Sequence, residues 1–260
     1  RGIAVTTQVD TIPKQQAAES SGTILDDLER AIRDITSTRS PEILAECLVS
    51  SLESYRKDEQ ALALCLRVVW EAFNEVDFDS TIFVAFNGCA AILNAMQNFQ
   101  SSVELQELGC RAVGVLAASE RNRTNLVRSG VCAMLANALA QYRWDKNLAR
   151  SALIPLRIFS TELEARCEIQ EMGVSRTTAK VMLSHPSVAS IQCDGCAILS
   201  NLAVEIEKSK VTAVDTLEIR AVIEAVMNHK AESVISSACF ALKNFIYNEA
   251  NLRRISRFKR

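Results

Sequence analysis

The stretch from Gly195 to Ala203 reads Gly-Cys-Ala-Ile-Leu-Ser-Asn-Leu-Ala, and weaker copies of it return at one fixed interval. Its first leucine belongs to a series of apolar residues at positions 70, 113, 156, 199 and 242, which follow one another every 43 residues. The second leucine has counterparts in the same register. The pairs are Trp70 and Phe73, Val113 and Leu116, Leu156 and Phe159, Leu199 and Leu202, and Leu242 and Phe245. This period, without strand signals, predicts an all-α solenoid of helical repeats.

Small residues stand four positions before the first member of each pair. They are Gly109, Ala152, Gly195 and Ala238, with Leu66 as the exception in the first copy. A small side chain at such a position lets one helix approach its neighbour closely. With the apolar residues around them, these positions form a face too wide for a helix that is half in water. Each copy is therefore predicted to contain one nearly buried helix.

The composition of the 260-residue chain suits helices packed in layers. The chain is 48% hydrophobic but only 5% aromatic, with 8 Gly and 4 Pro, which argues against a sandwich or barrel. A net charge of −2 gives no basic footprint for nucleic acid. No apolar run reaches the ~20 residues that span a bilayer, and the 9 cysteines mostly fall within helical patterns, as in a reducing compartment. We expect a cytoplasmic location, with the nucleus as the alternative; because the chain begins at Arg1, a longer parent protein is left open.

The chain divides into a lead-in and a repeat region. Residues 1–21 lack a usable period and are expected to form a flexible lead-in, followed by the repeat region at 22–260. The repeat units end near residues 76, 119, 162, 206 and 248, and residues 249–260 begin a partial sixth unit. Each unit is predicted to hold three helices, the first of them short. Gly88, Gly130 and Gly173 recur between first and second helices, where we expect a positive φ.

Three motifs in this register resemble the armadillo repeat family, and the resemblance covers roughly residues 22 to 260. Cys196–Ala203 reads CAILSNLA and Cys239–Ile246 reads CFALKNFI, both typical third-helix patterns; Asn122–Gly130 matches the turn Asn-x-x-Asn-Leu-Val-x-x-Gly. The resemblance implies a right-handed superhelix of about five armadillo-type, three-helix repeats with a period of 43 residues. It leaves the function open, because the family includes transport adaptors, adhesion scaffolds and signalling regulators.

The resemblance also implies where a partner would bind. In peptide-binding armadillo proteins the third helices line a concave groove, in which Asn residues clamp an extended peptide and Trp residues hold its side chains. The Asn position of that pattern is occupied by Asn201 and Asn244, and Phe240 stands at the Trp position. The remaining copies depart from the pattern at both positions. A role as a nuclear-import adaptor is therefore not expected.

The predicted partner-binding groove lies at the C-terminal end of the array. Offsets of four and seven place Phe240, Asn244 and Tyr247 on one helical face, with Asn201 one unit away. Cations along the same strip favour a partner segment with acidic residues; they are Arg150, Arg157 and Lys243. The alternative is that the two asparagines only satisfy neighbouring backbone groups.

The sequence predicts a binding protein and not an enzyme. It has no phosphate-binding glycine loop and no nucleophile elbow, and its 2 His fall in turns. We predict a non-catalytic scaffold that holds a protein or peptide segment in the groove, without cofactor, nucleic acid or small-molecule substrate. The alternative is a structural or regulatory segment of a larger armadillo-repeat protein, whose ends stack on further repeats.

Three local features have competing interpretations. Cys193 and Cys196 form a CxxC pair, but without further ligands two thiolates leave a zinc site half-filled, so we expect packing and no bound metal. Tyr142 and Trp144 lie in one turn and are either an interaction spot or caps on two helix ends. Pro155 lies inside a third helix, which it is predicted to kink.

Overall fold

The computed structural model describes residues 40–75, 79–203 and 214–258, and these residues form fourteen α-helices and no strand. The all-α prediction is confirmed. The predicted lead-in, a first helix expected at 23–37 and most of the connector at 205–215 lie outside the described residues. The helices are α1 (Pro41–Ser54), α2 (Glu59–Glu75), α3 (Ser80–Ala85), α4 (Gly88–Asn98), α5 (Val103–Ala118), α6 (Glu120–Arg128), α7 (Val131–Gln141), α8 (Lys146–Phe159), α9 (Leu163–Glu171), α10 (Val174–Ser184), α11 (Ala189–Leu202), α12 (Thr216–Asn228), α13 (Glu232–Ile246) and α14 (Glu249–Ile255).

The helices follow the predicted order of short first, longer second and long third helix. This order is complete in α3–α5, α6–α8 and α9–α11. The third helices α2, α5, α8, α11 and α13 contact one another in succession, and so do the second helices α1, α4, α7, α10 and α12. Each unit therefore contacts its neighbours along the chain, as in a solenoid.

The repeated apolar pairs occupy the core between these layers. Seven of the ten residues are buried: Val113, Leu116, Leu156, Phe159, Leu199, Leu202 and Phe245. The exceptions lie at the two ends of the row of third helices, where Trp70, Phe73 and Leu242 are half-buried. Most of the repeated apolar pairs are thus packing residues, and the end units bury them less completely.

A buried glutamine joins the second and third helices in two of the units. The Gln106 Nε2 donates to the carbonyls of Met96 and Phe99, at 2.7 and 3.2 Å. Two periods later, Gln192 makes the same pair of bonds, to Met182 and His185. These bonds satisfy carbonyls at the end of the second helix that have no partner within that helix.

Two of the three glycines predicted to adopt a positive φ do so. Gly130 and Gly173 have φ values of 81° and 67° immediately before a second helix. The prediction for Gly88 is wrong, because Asn87 takes the left-handed conformation instead, with φ of 63°. Gly88 lies within α4, where an added Cβ would overlap the ring of Phe83. Its small size is needed for packing and not for the turn.

Close approach of second and third helices explains two other glycines. An added Cβ would lie 2.5 Å from Met96 at Gly109 and 2.6 Å from Met182 at Gly195. Gly114 differs, since its added Cβ would meet Pro155 at an ordinary 3.7 Å. The helix α8 extends through Pro155 from Lys146 to Phe159, so the proline does not end it.

Replacing these glycines by alanine should have opposite effects on stability. Gly195→Ala forces Met182 and its surroundings to move and should lower the unfolding free energy by about 1–3 kcal/mol. Gly114→Ala is the matched control; it adds helix propensity without a clash and should raise that energy by about 0.5–1 kcal/mol. Urea unfolding followed by circular dichroism measures both. Equal effects of the two substitutions would contradict this packing.

Candidate functional site

Five of the predicted site residues lie on exposed or half-exposed parts of the third helices α8 and α13, with Tyr247 at the C-cap of α13. We call them, with Ile154, the third-helix strip: Arg150, Ile154, Arg157, Phe240, Lys243 and Tyr247. The aromatic side chains are strongly exposed, 59% for Phe240 and 74% for Tyr247, and Ile154 is 43% exposed. Arg150 and Lys243 are exposed, while Arg157 is half-buried. The strip combines bare apolar surface with cations.

The two predicted clamp residues, Asn201 and Asn244, bridge neighbouring third helices. The Asn201 Nδ2 donates to the Ser160 hydroxyl at 2.9 Å. The Asn244 Nδ2 donates to both the hydroxyl and the carbonyl oxygen of Ser200, at 2.9 and 3.1 Å. Ser200 lies in the last turn of α11, where carbonyls lack intrahelical donors. Both amide groups therefore hold adjacent units together, and a bound peptide would have to compete for them.

The cations of the strip differ in how they are neutralised. Arg157 pairs with Asp194 of the next third helix, with 2.8 Å between Nε and Oδ1. Burial raises the pKa of the Asp194 carboxyl, and the positive charges of Arg157 and Arg150 partly oppose that rise. Within the described part of the chain, Arg150 and Lys243 form no ion pair. The positive charges of Arg150 and Lys243 therefore remain available to a partner.

On the N-terminal third helices α2 and α5, the charged side chains are paired with one another or stacked on an aromatic ring. The Arg111 guanidinium lies over the Trp70 ring, 5.1 Å from its centroid, and pairs with Glu107 of the same helix. The Arg67 side chain reaches forward to Glu104 of the next unit at 3.1 Å. The sequence does not predict this network; the one available signal is that Arg67 and Arg111 interrupt apolar positions of the repeat. Because this network lies on α2 and α5, the cations of the later third helices are the ones that remain available to a partner.

Tyr142 and Trp144, predicted to be either an interaction spot or caps on two helix ends, differ in their surroundings. The Tyr142 hydroxyl donates to the carbonyl of Gln100 at 2.7 Å, so this side chain connects two units. Trp144 is 67% exposed, and its ring lies under the guanidinium of Arg143. Tyr142 therefore has a structural role, whereas Trp144 remains an exposed aromatic.

Both histidines form similar bonds between turns of successive units. The His185 Nε2 lies 2.9 Å from the carbonyl oxygen of Arg143, and the His229 Nε2 lies 2.7 Å from that of Pro186. A carbonyl only accepts, so Nε2 must carry the proton and donate it. These contacts give both histidines a role in connecting the units.

The cysteines are mostly packing residues, with exceptions. Cys196 is buried, and burial raises the pKa of its thiol to about 12, which keeps it protonated. The Cys193 Sγ lies 3.4 Å from the Ser237 hydroxyl of the next unit. Cys239, which has the same register as the buried Cys196, is exposed, and so is Cys167. The described residues contain no group of three or more His, Cys, Asp or Glu side chains placed to hold a metal ion.

Solved structures of engineered proteins share this fold. One engineered protein matches with a TM-score of 0.68 and 18% identity, over 92% of this chain and 58% of its own length. Another has a TM-score of 0.63 and 20% identity, over 88% and 92% of the two chains. A designed armadillo repeat protein in complex with the peptide (KR)4 has a TM-score of 0.63 and 15% identity, over 81% and 86%.

These likenesses show that the protein has an armadillo-like helical repeat fold. At such low identity they show the fold alone. No family model matches the chain, and no curated protein matches it either. Among the described helices, none is long and apolar enough to cross a membrane.

Removing the Asn244 amide should weaken the junction between α11 and α13. Asn244→Ala leaves the Ser200 carbonyl without this donor and should lower the unfolding free energy by about 1–2 kcal/mol. Asn137→Ala, at an exposed position of α7, is the control and should be neutral or slightly stabilising. Urea unfolding provides the measurement, and a fully stable Asn244→Ala variant would argue against a structural role for the amide.

The raised pKa of Asp194 predicts a contribution to the pH dependence of stability. The folded chain binds this proton more tightly than the unfolded chain, so stability from this group is present below the ordinary carboxyl pKa and is lost as the pH rises through the raised value. Asp194→Asn should flatten that fall. Asp79→Asn is a control with the opposite sign. Hydrogen bonds from Thr81 lower the pKa of Asp79, so the stability that this group contributes is lost as the pH falls. Unfolding free energies across roughly pH 3 to 6 test this; parallel curves for Asp194→Asn and wild type would contradict it.

Proposed function

We propose that the chain is a non-catalytic protein-interaction scaffold that binds an extended peptide segment along the third-helix strip, which lies on α8 and α13 with α11 between them. The segment carries acidic residues next to apolar ones. The observation that carries this proposal is the presence of Arg150 and Lys243, exposed and without ion-pair partners in the described part of the chain, beside the bare side chains of Ile154, Phe240 and Tyr247.

Exposed apolar surface of this kind is typical of interaction sites in soluble proteins. Aromatic side chains supply large contact areas with little loss of conformational entropy. The two unpaired cations add electrostatic complementarity, which favours association with acidic segments and selects against basic ones. Carboxylates of a partner would also compete with Asp194 for Arg157.

The designed armadillo protein noted above is in complex with a basic peptide, (KR)4. The likeness supports peptide binding as the use of this scaffold. The charge preference proposed for the present chain is the reverse, since the pairs of Arg67 with Glu104 and Arg111 with Glu107 neutralise the N-terminal third helices and the remaining cations lie further along. The sign of the charge on the bound peptide therefore tests whether the peptide binds at the third-helix strip.

Two octapeptides of equal apolar content, (EL)4 and (KL)4, test this preference. Fluorescence anisotropy should show that (EL)4 binds more tightly and that its affinity falls with added salt. Arg150→Glu and Phe240→Ala should each weaken (EL)4 binding about fivefold or more, a change of roughly 1 kcal/mol.

Arg128→Glu is the matched control for the charge reversal. Arg128 is an exposed cation in the last turn of α6, away from the strip, so its reversal should change the affinity for (EL)4 much less. Thermal melting confirms that each variant is folded. Equal binding of (KL)4, equal loss with Arg128→Glu, or loss only with Trp144→Ala would contradict the proposed site.

A further inference from the structure

The Asp194 carboxylate of α11 faces two arginines of the third-helix strip. Its Oδ1 lies 2.8 Å from the Arg157 Nε of α8, and the positive charge of Arg150 acts on the same carboxyl. The repeat register places Arg150 there. Cys193 contacts the Ser237 hydroxyl of the next unit, and one unit earlier these two positions are Arg150 and Asp194. Two guanidinium groups of one helix thus share a single carboxylate of the next.

The two partners of this ion pair differ in exposure. The Asp194 side chain is 17% exposed, against 44% for the Arg157 side chain. A bound segment can therefore reach the guanidinium, whereas the carboxylate is largely shielded from water. Because water does little to stabilise a charge in such a place, the negative charge of Asp194 depends on its two arginines.

Within the described part of the chain, the charges that act on this carboxyl come from α8. The helices α10 and α13 contact the adjoining residues of α11 through uncharged groups, since Met182 lies against Gly195 and Ser237 against Cys193. The nearest acidic group of α12, Glu218, lies beside the C-terminal end of α11. The two arginines therefore decide the protonation of the carboxyl.

This arrangement links peptide binding to a proton. A partner carboxylate that pairs with Arg157 draws the guanidinium away from Asp194 and brings a second negative charge close to it. Both changes favour the neutral form of a largely buried carboxyl. We propose that a carboxylate of the bound segment replaces Asp194 at Arg157 and that Asp194 takes up one proton from the solvent, so that acidic segments bind more tightly as the pH falls. The proposal rests on the proposed peptide site and makes Asp194 the residue that sets its pH dependence.

The pKa of Asp194 in the free chain supports this exchange. Burial already raises that pKa, although the positive charges of Arg157 and Arg150 oppose the rise. Binding removes part of their support, so the pKa rises further. A group whose pKa rises on binding takes up a proton with the ligand, and the affinity then increases by at most about tenfold per pH unit between the two pKa values.

The probe is an octapeptide of alternating cysteic acid and leucine with a pH-insensitive fluorophore. Its sulfonates keep their charge over roughly pH 5 to 7.5, whereas glutamates begin to protonate at the lower end. Any change of affinity with pH then belongs to the protein. Fluorescence anisotropy should show that the wild-type chain binds the probe about fivefold or more tightly at the lower pH.

Asp194→Asn removes the competing charge and the titrating group together. This variant should bind the probe at pH 7.5 about as tightly as the wild type does at pH 5, with little change between them. Glu104→Gln is the matched control, because it removes a carboxylate that pairs with Arg67 between α2 and α5. It should keep the wild-type slope. Thermal melting at each pH confirms that the variants are folded.

Titration calorimetry in buffers of different ionisation enthalpy counts the protons directly. At about pH 5.5 the wild type should take up a measurable fraction of one proton per bound peptide, and Asp194→Asn should take up less. A flat wild-type profile, an equal slope in Asp194→Asn or equal proton uptake by the two chains would overturn the exchange. The peptide site itself would then still stand if Phe240→Ala weakened binding. Absence of binding by both chains at every pH would instead refute the peptide site, and the exchange with it.

Discussion

The close packing of each third helix against the next is the constraint on which the rest of this structure depends. A third helix is covered by the preceding unit on one side and the following unit on the other, and by its own second helix below. Space for that second helix comes from Gly109 and Gly195, where an added Cβ would lie 2.5 Å from Met96 and 2.6 Å from Met182 and would force these side chains to move. Stability in such an array is close to a sum of unit and interface terms, so each junction matters to both of its neighbours.

The same constraint decides what the polar residues between the units do. Bringing helix ends together buries carbonyl oxygens that have no partner within their own helix, and each needs a donor from elsewhere. Gln106, Gln192 and Asn244 supply such donors from neighbouring helices. Asn122 does so as well, since its amide reaches both the Leu116 carbonyl and the Ser80 hydroxyl. An asparagine on a third helix is therefore not by itself evidence of a peptide clamp.

The sequence indicates the packing positions well and the polar contacts poorly. Apolar periodicity depends on burial alone, so the register of Leu156 or Leu199 can be predicted without knowledge of the neighbours. The prediction for Gly88 fails because a glycine is needed there for its contact with the ring of Phe83 and not for the turn. The local sequence pattern gives no sign of that contact. The direction of the Asn244 amide and the pairing of Arg157 with Asp194 depend on geometry between units 40 or so residues apart. Cys239 is exposed because α13 is the last third helix among the described residues, and the repeat pattern around Cys239 does not reveal this.

Comparison of the copies with one another separates packing from function. At the register of Leu199 every copy has a large apolar residue, because the core admits little else. Two residues earlier the copies carry Val68, Arg111, Ile154, Ala197 and Phe240, which differ in size and charge. Of these residues only Val68 is buried, while the others are half-buried or exposed, so packing constrains this position less and its chemistry varies from unit to unit along the solenoid. A surface built from such positions can be adapted to a partner without loss of the fold, and this is why the third-helix strip is the place to look for binding specificity.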